Sequence, residues 1–252
     1  MASPIFAEYA FKSTKYSNVR GSMHTNLEME IVLVHEGVLN MNVNGIEHEI
    51  HEGEGIFVLP FEPHDFRSLQ DNICHVLMFN DKYSSVFFKQ VNKGEPKTRV
   101  FPLSSSLQNY LCDQLDKNKR EHCYYNSILF PLFDAIKESC EFGEEECFNE
   151  TFLAVLSYID KHLTEDITET EIAAALYIHP VTLSRIFSKQ AKMHIKKYIN
   201  RRRVILAKQL IENGEKITKA AYDLGFGSIR NFNRAFKEYY SYTPSALIVK
   251  EL

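Results

Sequence analysis

The last hundred residues of this 252-residue chain repeat themselves, and no other feature restricts its fold as much. Ala173 and Ile178 recur 48 positions later as Ala221 and Phe226. Leu183, Arg185 and Phe187 recur 49 positions later as Phe232, Arg234 and Phe236. The one-residue slip falls in a turn, where an insertion is easiest to absorb. Each copy reads as a short helix, a tight turn and a second helix. The small residue lets the two helices approach, and the apolar positions form a buried stripe. That pattern is a helix-turn-helix, whose second helix can enter the major groove of DNA. Two copies joined by a stiff helix could reach successive grooves, about 34 Å apart on B-DNA.

Local signals agree with this reading. Phe152, Val155, Leu156 and Ile159 start the helical run. Thr168 and Glu171 have the spacing of a capping box, in which each side chain satisfies a backbone N–H of the other. Pro180 suits a first helical turn, where its missing N–H costs nothing. A long helix is expected over about 194–212, ended by Asn213-Gly214. Thr218 and Ser228 are the expected N-caps of two further helices.

Charge divides the chain in the same place. Residues 1–150 carry 13 Lys and Arg against 23 Asp and Glu, a net of −10. Residues 151–252 carry 16 against 10, a net of +6. The excess concentrates in 180–240, with 14 basic and 4 acidic residues. A basic segment of this size suits a polyanion, although solvated helix faces would give a similar count.

The first 80 residues alternate as strands do. Glu30–Val34, Val38–Val43, Ile46–His51, Ile56–Leu59 and Ile73–Phe79 are short and rich in branched residues, and Asn44-Gly45 predicts a tight hairpin. Such spacing points to a barrel or sandwich. From Asp81 the period changes, and segments 82–91, 104–118 and 124–141 read as helices. Leu107, Tyr110, Leu111 and Leu115 form one stripe; Ile128, Leu129, Leu132, Phe133 and Ile136 form another. Gly143-Glu144-Glu145-Glu146 reads as a polar break between domains. The expected organisation is α+β, with a β-barrel and associated helices in 1–142 and two helix-turn-helix units in 147–252. No apolar run approaches the roughly 18 residues of a membrane span, and no secretory signal or membrane partner is expected. The five cysteines form no CxxC pair and read as reduced thiols.

The C-terminal half resembles the AraC/XylS family of transcription regulators. The residues that carry this are Arg203-Val204-Ile205-Leu206-Ala207-Lys208-Gln209-Leu210-Ile211, Ile217, Ala220-Ala221, Leu224-Gly225-Phe226, Phe232-Asn233-Arg234-Ala235-Phe236-Lys237 and Thr243-Pro244-Ser245. The resemblance implies a cytoplasmic homodimer that binds promoter half-sites in double-stranded DNA and works with RNA polymerase, usually as an activator. It places Val181, Thr182, Ser184, Arg185 and Lys189 on the DNA side of the first reading helix. On the second it places Ser228, Arg230, Asn231, Asn233 and Arg234. These side chains fit that use, since Arg pairs with guanine, Asn with adenine and Val with a thymine methyl. Arg185 and Arg234 occupy the same repeat position. Leu183, Phe187, Phe232 and Phe236 should be core. Within Arg201-Arg202-Arg203 a structural role is expected for at least one arginine. Departures from the family pattern are His179 at a cap usually Ser or Asn, and Lys192 and Ser241 where Gly commonly ends the reading helices.

The front half resembles the cupin-like sensing barrel found in such regulators, through His24–Glu30, Gly37, Gly55-Ile56-Phe57-Val58-Leu59-Pro60 and Pro63-His64. The resemblance implies a small-molecule effector, a sugar being one option, held by His24, Glu28, Glu30 and His64. A metal-binding cupin would need one more histidine where Asn26 stands, so no metal site and no cofactor are expected. His35, His48, His51 and His75 show no ligand spacing. Nor is there a nucleophile–base pair, and the chain is not expected to be an enzyme. A metal-dependent cupin enzyme with a helical appendage, or a regulator governed by a partner protein, remain the alternatives.

Overall fold

The computed structural model describes residues 11–68, 70–91, 94–117 and 122–248. By its contacts the chain divides into two compact units between Cys147 and Phe148.

The first unit is built around one long strand. In order come β1 (Phe11–Ser17), β2 (Arg20–Thr25), β3 (Met29–Val43), β4 (Ile46–His51), β5 (Glu54–Val58), β6 (Pro63–Arg67) and β7 (Asn72–Phe79). The two strands expected over 30–43 are the single 15-residue β3. A register shift between Val34 and Glu36 interrupts its pairing with β7, as a bulge does. Its first half pairs with β7 and β5, and its second half with β4 and β6, all antiparallel. Two sheets thus share β3 and close on one apolar core that includes Val32, Val34, Leu39, Met41, Val43, Ile50 and Ile56. The β3–β4 hairpin turns at Asn44 and Gly45, with φ of 54° and 85°. Two consecutive positive φ values match the twist of the flanking strands and favour Asn-Gly.

Three helices follow: α1 (Asp81–Gln90), α2 (Ser105–Lys117) and α3 (His122–Ser139). Pro131 lies inside α3 rather than ending it. Ile128, Leu129, Leu132, Phe133 and Ile136 are buried as expected, but Tyr110 of the other stripe is exposed. Short strands β8 (Gly94–Pro96) and β9 (Val100–Pro102) precede α2, and β10 (Phe142–Glu146) closes the unit. The expected polar break at 143–146 is therefore a strand, antiparallel to β8. Its partner is supplied from far along the chain, and pairing overrides the poor strand propensity of Glu and Gly.

The second unit is helical: α4 (Glu150–Lys161), α5 (Glu169–Ala175), α6 (Pro180–Ala191), α7 (Ile195–Glu212), α8 (Ile217–Asp223), α9 (Ile229–Tyr240) and α10 (Ser245–Ile248). Phe152, Val155, Leu156 and Ile159 of α4 are buried. Helices α6, α8, α9 and α10 pack on α7. Thr168 and Glu171 form the capping box at α5. Thr218, an expected cap, lies inside α8; the N-cap is Lys216, which makes no side-chain cap bond.

Candidate nucleic-acid interface and candidate effector site

Each helix-turn-helix unit is set by a few residues at its turn. In the first, Ile178 N–H donates to Ala173 O at 2.9 Å; in the second, Phe226 N–H donates to Ala221 O at 3.1 Å. The residue before each donor is left-handed, Tyr177 with φ 55° and Gly225 with φ 75°. Ala173 and Ala221 are fully packed, which leaves room for the next helix to cross closely.

The reading helices start on side-chain caps. His179 Nδ1 accepts from Val181 N–H at 3.3 Å, so this histidine performs the usual Ser or Asn role. Ser228 Oγ accepts from Asn231 N–H at 3.2 Å. Both helices end on left-handed non-glycine residues, Lys192 with φ 54° and Ser241 with φ 63°. The geometry of a glycine end is therefore retained without glycine, at the strain such a residue carries.

One face of each helix is pinned. Leu183, Phe187, Phe232 and Phe236 are fully buried, and Phe187 packs on Phe152 and Tyr198 with ring centroids 5.3 Å away in each case. The other face points outward. Val181 is 69% exposed, a large apolar side chain open to solvent at the start of α6. Arg185 and Lys189 are exposed, and Thr182 and Ser184 are half-buried. On α9, Arg230, Asn231, Asn233 and Arg234 are exposed, while Ser228 is half-buried and engaged as the cap. A groove of about 780 Å³ beside Arg234 is lined by His194, Lys196, Lys197, Arg201 and Glu238, with Glu238 paired to Lys197 at 3.0 Å.

The three consecutive arginines of α7 do different work. Arg202 Nη2 donates to Asp160 at 2.6 Å. Arg203 donates to the carbonyls of Leu163, Gly225 and Glu165, tying the loop between α4 and α5 and the second turn to α7. Both are buried, and burial pulls the Arg203 guanidinium down, with Asp166 opposing. Arg201 instead lies 4.7 Å over the Tyr239 ring, at the basic groove.

In the first unit, the strand ladder places His24 opposite His64. Their rings lie 4.3 Å apart by centroid. Glu30 and His64 are buried, His24 is exposed, and the donor atoms of the three lie within 4.8 Å of one another. Asn26 Nδ2 donates to Glu30 Oε2 at 2.7 Å. His64 Nε2 is 3.7 Å from the same oxygen, an ionic contact rather than a hydrogen bond. Burial opposes a charge on His64, but the attraction of Glu30 and Glu62 outweighs it and holds the ring above its ordinary value. Glu28, half-buried, is not in this cluster. A second cluster was invisible to residue spacing: His75 Nδ1 meets His35 Nε2 at 2.6 Å, and Cys112 Sγ lies 3.2 Å from His35 Nδ1. None of the five cysteines is in a disulfide, and burial pushes the Cys74 thiol up to about 12.

A sheet unit with a buried polar cluster, followed by paired helix-turn-helix units with outward-facing basic helices, defines a DNA-binding regulator with a sensing domain. Comparisons with known proteins give the family. Residues 9–80 match the AraC-like ligand binding domain, and residues 172–248 match a helix-turn-helix domain. The regulatory protein PocR of Salmonella typhimurium strain LT2 is 32% identical over 92 residues, covering 36% of this chain and 30% of that protein. The HTH-type transcriptional activator RhaS of Enterobacter sp. strain 638 is 23% identical over 231 residues, covering 85% of this chain and 83% of that one. Among solved structures, wild-type ToxT from Vibrio cholerae strain SCE256, bound to an unsaturated fatty acid, matches with a TM-score of 0.62 at 15% identity, over 94% of each chain. That likeness is one of fold. The chain belongs to the AraC family of transcription regulators, with a DNA-binding helix-turn-helix domain and an N-terminal ligand-binding domain. None of its described helices is long and apolar enough to cross a membrane.

Proposed function

We propose that the chain is an effector-responsive transcription activator, not an enzyme. It reads promoter DNA through α6 and α9. The observation that carries this reading is the pair Arg185 and Arg234, exposed at equivalent positions on two helices whose opposite faces are buried. Arg185 and Arg234 pair with guanines; Thr182, Ser184, Asn231 and Asn233 reach base edges or phosphates; Val181 meets a thymine methyl. Lys189 and Arg230 serve phosphates, and Ser228 sets the helix start. The name of the RhaS relatives supports activation, and hence contact with RNA polymerase.

The barrel takes a small effector at His24, Glu30 and His64, with Glu28 as a further polar contact. Imidazole, carboxylate and amide groups suit the hydroxyls of a polyol, so sugars are the first compounds to try. The fatty acid of ToxT carries no weight for this chain at 15% identity. The protein acts in the cytoplasm as a homodimer through α2 and α3, where Tyr110 and Phe130 are large apolar side chains left exposed.

Genomic fragments selected by the purified chain test this. The expected result is a motif with two blocks about one helical turn apart. Its affinity should fall steeply with salt through counterion release, and should change when an effector is added. A chain that selects no sequence, or whose binding ignores salt, would refute the reading.

A further inference from the structure

The polar cluster of the sheet unit is arranged as metal ligands are. His24 Nδ1 lies 2.8 Å from Ser22 O, and His64 Nδ1 lies 2.9 Å from Glu62 O. A carbonyl only accepts, so both rings carry their proton on Nδ1 and keep a lone pair on Nε2 when neutral. Backbone acceptors hold metal-binding histidines in just this way, fixing tautomer and ring orientation. The two histidines face each other across the β2–β6 ladder, with Glu30 beside them.

Glu30 supplies the second, independent observation. The residue is 2% exposed, and its Oε1 is buried with no hydrogen-bond partner. Asn26 and His64 attend only to Oε2. Leaving a carboxylate oxygen buried and unmatched is costly, and a cation would remove the cost. Asn26 completes the set. Turning its amide by half a rotation puts Oδ1 where Nδ2 now lies, 3.5 Å from His64 Nε2. The group then offers a neutral oxygen ligand where a further histidine is missing. Metal–ligand bonds of about 2.0–2.2 Å require the donors to draw in from their present spacing. His24 can supply that movement, being exposed and next to a register shift in β2.

We propose that His24, Glu30 and His64 bind one first-row divalent transition metal ion, with the Asn26 amide oxygen as fourth donor. Two imidazoles and a carboxylate suit Mn2+, Fe2+, Co2+ or Zn2+ over Mg2+ or Ca2+. An ion that takes more than these four donors would turn its open position to the effector, and that part rests on the effector reading above; the metal site itself does not.

The test uses the full-length, tag-free protein, stripped with chelator and titrated with Co2+ while visible absorption and stoichiometry are read. The expected result is one bound equivalent with a spectrum unlike the aqueous ion, displaced by Zn2+. The exposed-ligand variant His24→Ala should weaken binding by at least about 100-fold, more than loss of an outer-shell partner. Asn26→His should tighten it, and His35→Gln should leave it unchanged. No stoichiometric binding, or binding that depends on His35 and not on His24, would overturn the proposal. If Co2+ is not held but a sugar still shifts DNA affinity, the metal site falls and the effector reading stands. If Co2+ is held through His24 but no small molecule alters DNA binding, the metal site stands and the effector reading falls.

Discussion

The two helix-turn-helix units solve the same turn with different residues, and the difference locates where the fold leaves no choice. At the first turn the left-handed position is Tyr177, 97% exposed, with a side chain free to leave the helices. At the equivalent second turn it is Gly225. A Cβ there would come within 2.8 Å of Arg203 Nη2 and 2.9 Å of Thr164 O. The arginine of α7 clamps the second unit at the turn itself, through Gly225 O, and reaches the first only through the loop before α5, at Leu163 O and Glu165 O; the first turn carries no such clamp. Capping differs to match, with a full box at α5 and no side-chain cap bond at α8.

The largest expected effect is at the clamp. Arg203→Met should lower stability by about 3–5 kcal/mol, since it leaves three carbonyl partners without their donor. Denaturant melts should show the loss, and hydrogen exchange should show it at the second turn around Gly225 and in the loop before α5; a second turn no looser than the first turn at Ala173–Ile178 would break the comparison. Next come the turns, with opposite signs. Gly225→Ala should destabilise by more than about 1 kcal/mol, while Tyr177→Gly should be neutral or stabilise by up to about 1 kcal/mol through relief of the left-handed strain. Thermal melts of the two variants decide, and matching signs would contradict the distinction.

The repeat made much of this legible. Offsets of 48 and 49 picked out the buried Ala173, Ala221, Leu183, Phe232, Phe187 and Phe236, because a core face leaves a period in the sequence. At least one structural arginine is expected in α7, and two are buried; which carbonyls Arg203 holds depends on residues 22 and 40 positions away. Strands β1, β2 and β6 left little trace. β1 reads FKSTKYS, mostly polar, and is made a strand by its partner β7. The cluster at His24, Glu30 and His64 was met through resemblance, yet the unmatched Glu30 oxygen and the carbonyls behind both rings belong to tertiary structure alone. His35, His75 and Cys112 converge across 40 and 77 residues with no spacing signal at all.

Smaller effects sharpen the contrast in capping. Thr168→Ala should cost about 1 kcal/mol, and Lys216→Ser should gain up to about that amount by supplying the missing cap. Acid should act on the first helix-turn-helix unit through the same box. The hydrogen bonds from Thr168 hold the Glu171 carboxyl below its ordinary 4.5. Its contribution is therefore complete above that value and is lost as pH falls through the lowered one. A pH series of melts should show this step vanish in Glu171→Gln; a step that persists would assign it elsewhere.

The central claim is that two equivalent helices each read their own stretch of DNA. It is tested most directly by binding the selected site with Arg185→Ala and Arg234→Ala, block by block. The account predicts that each variant loses about 1–3 kcal/mol and relaxes sequence preference in one block only, and that the two lose different blocks. Variants that bind like wild type, or that both weaken every sequence equally, would contradict it.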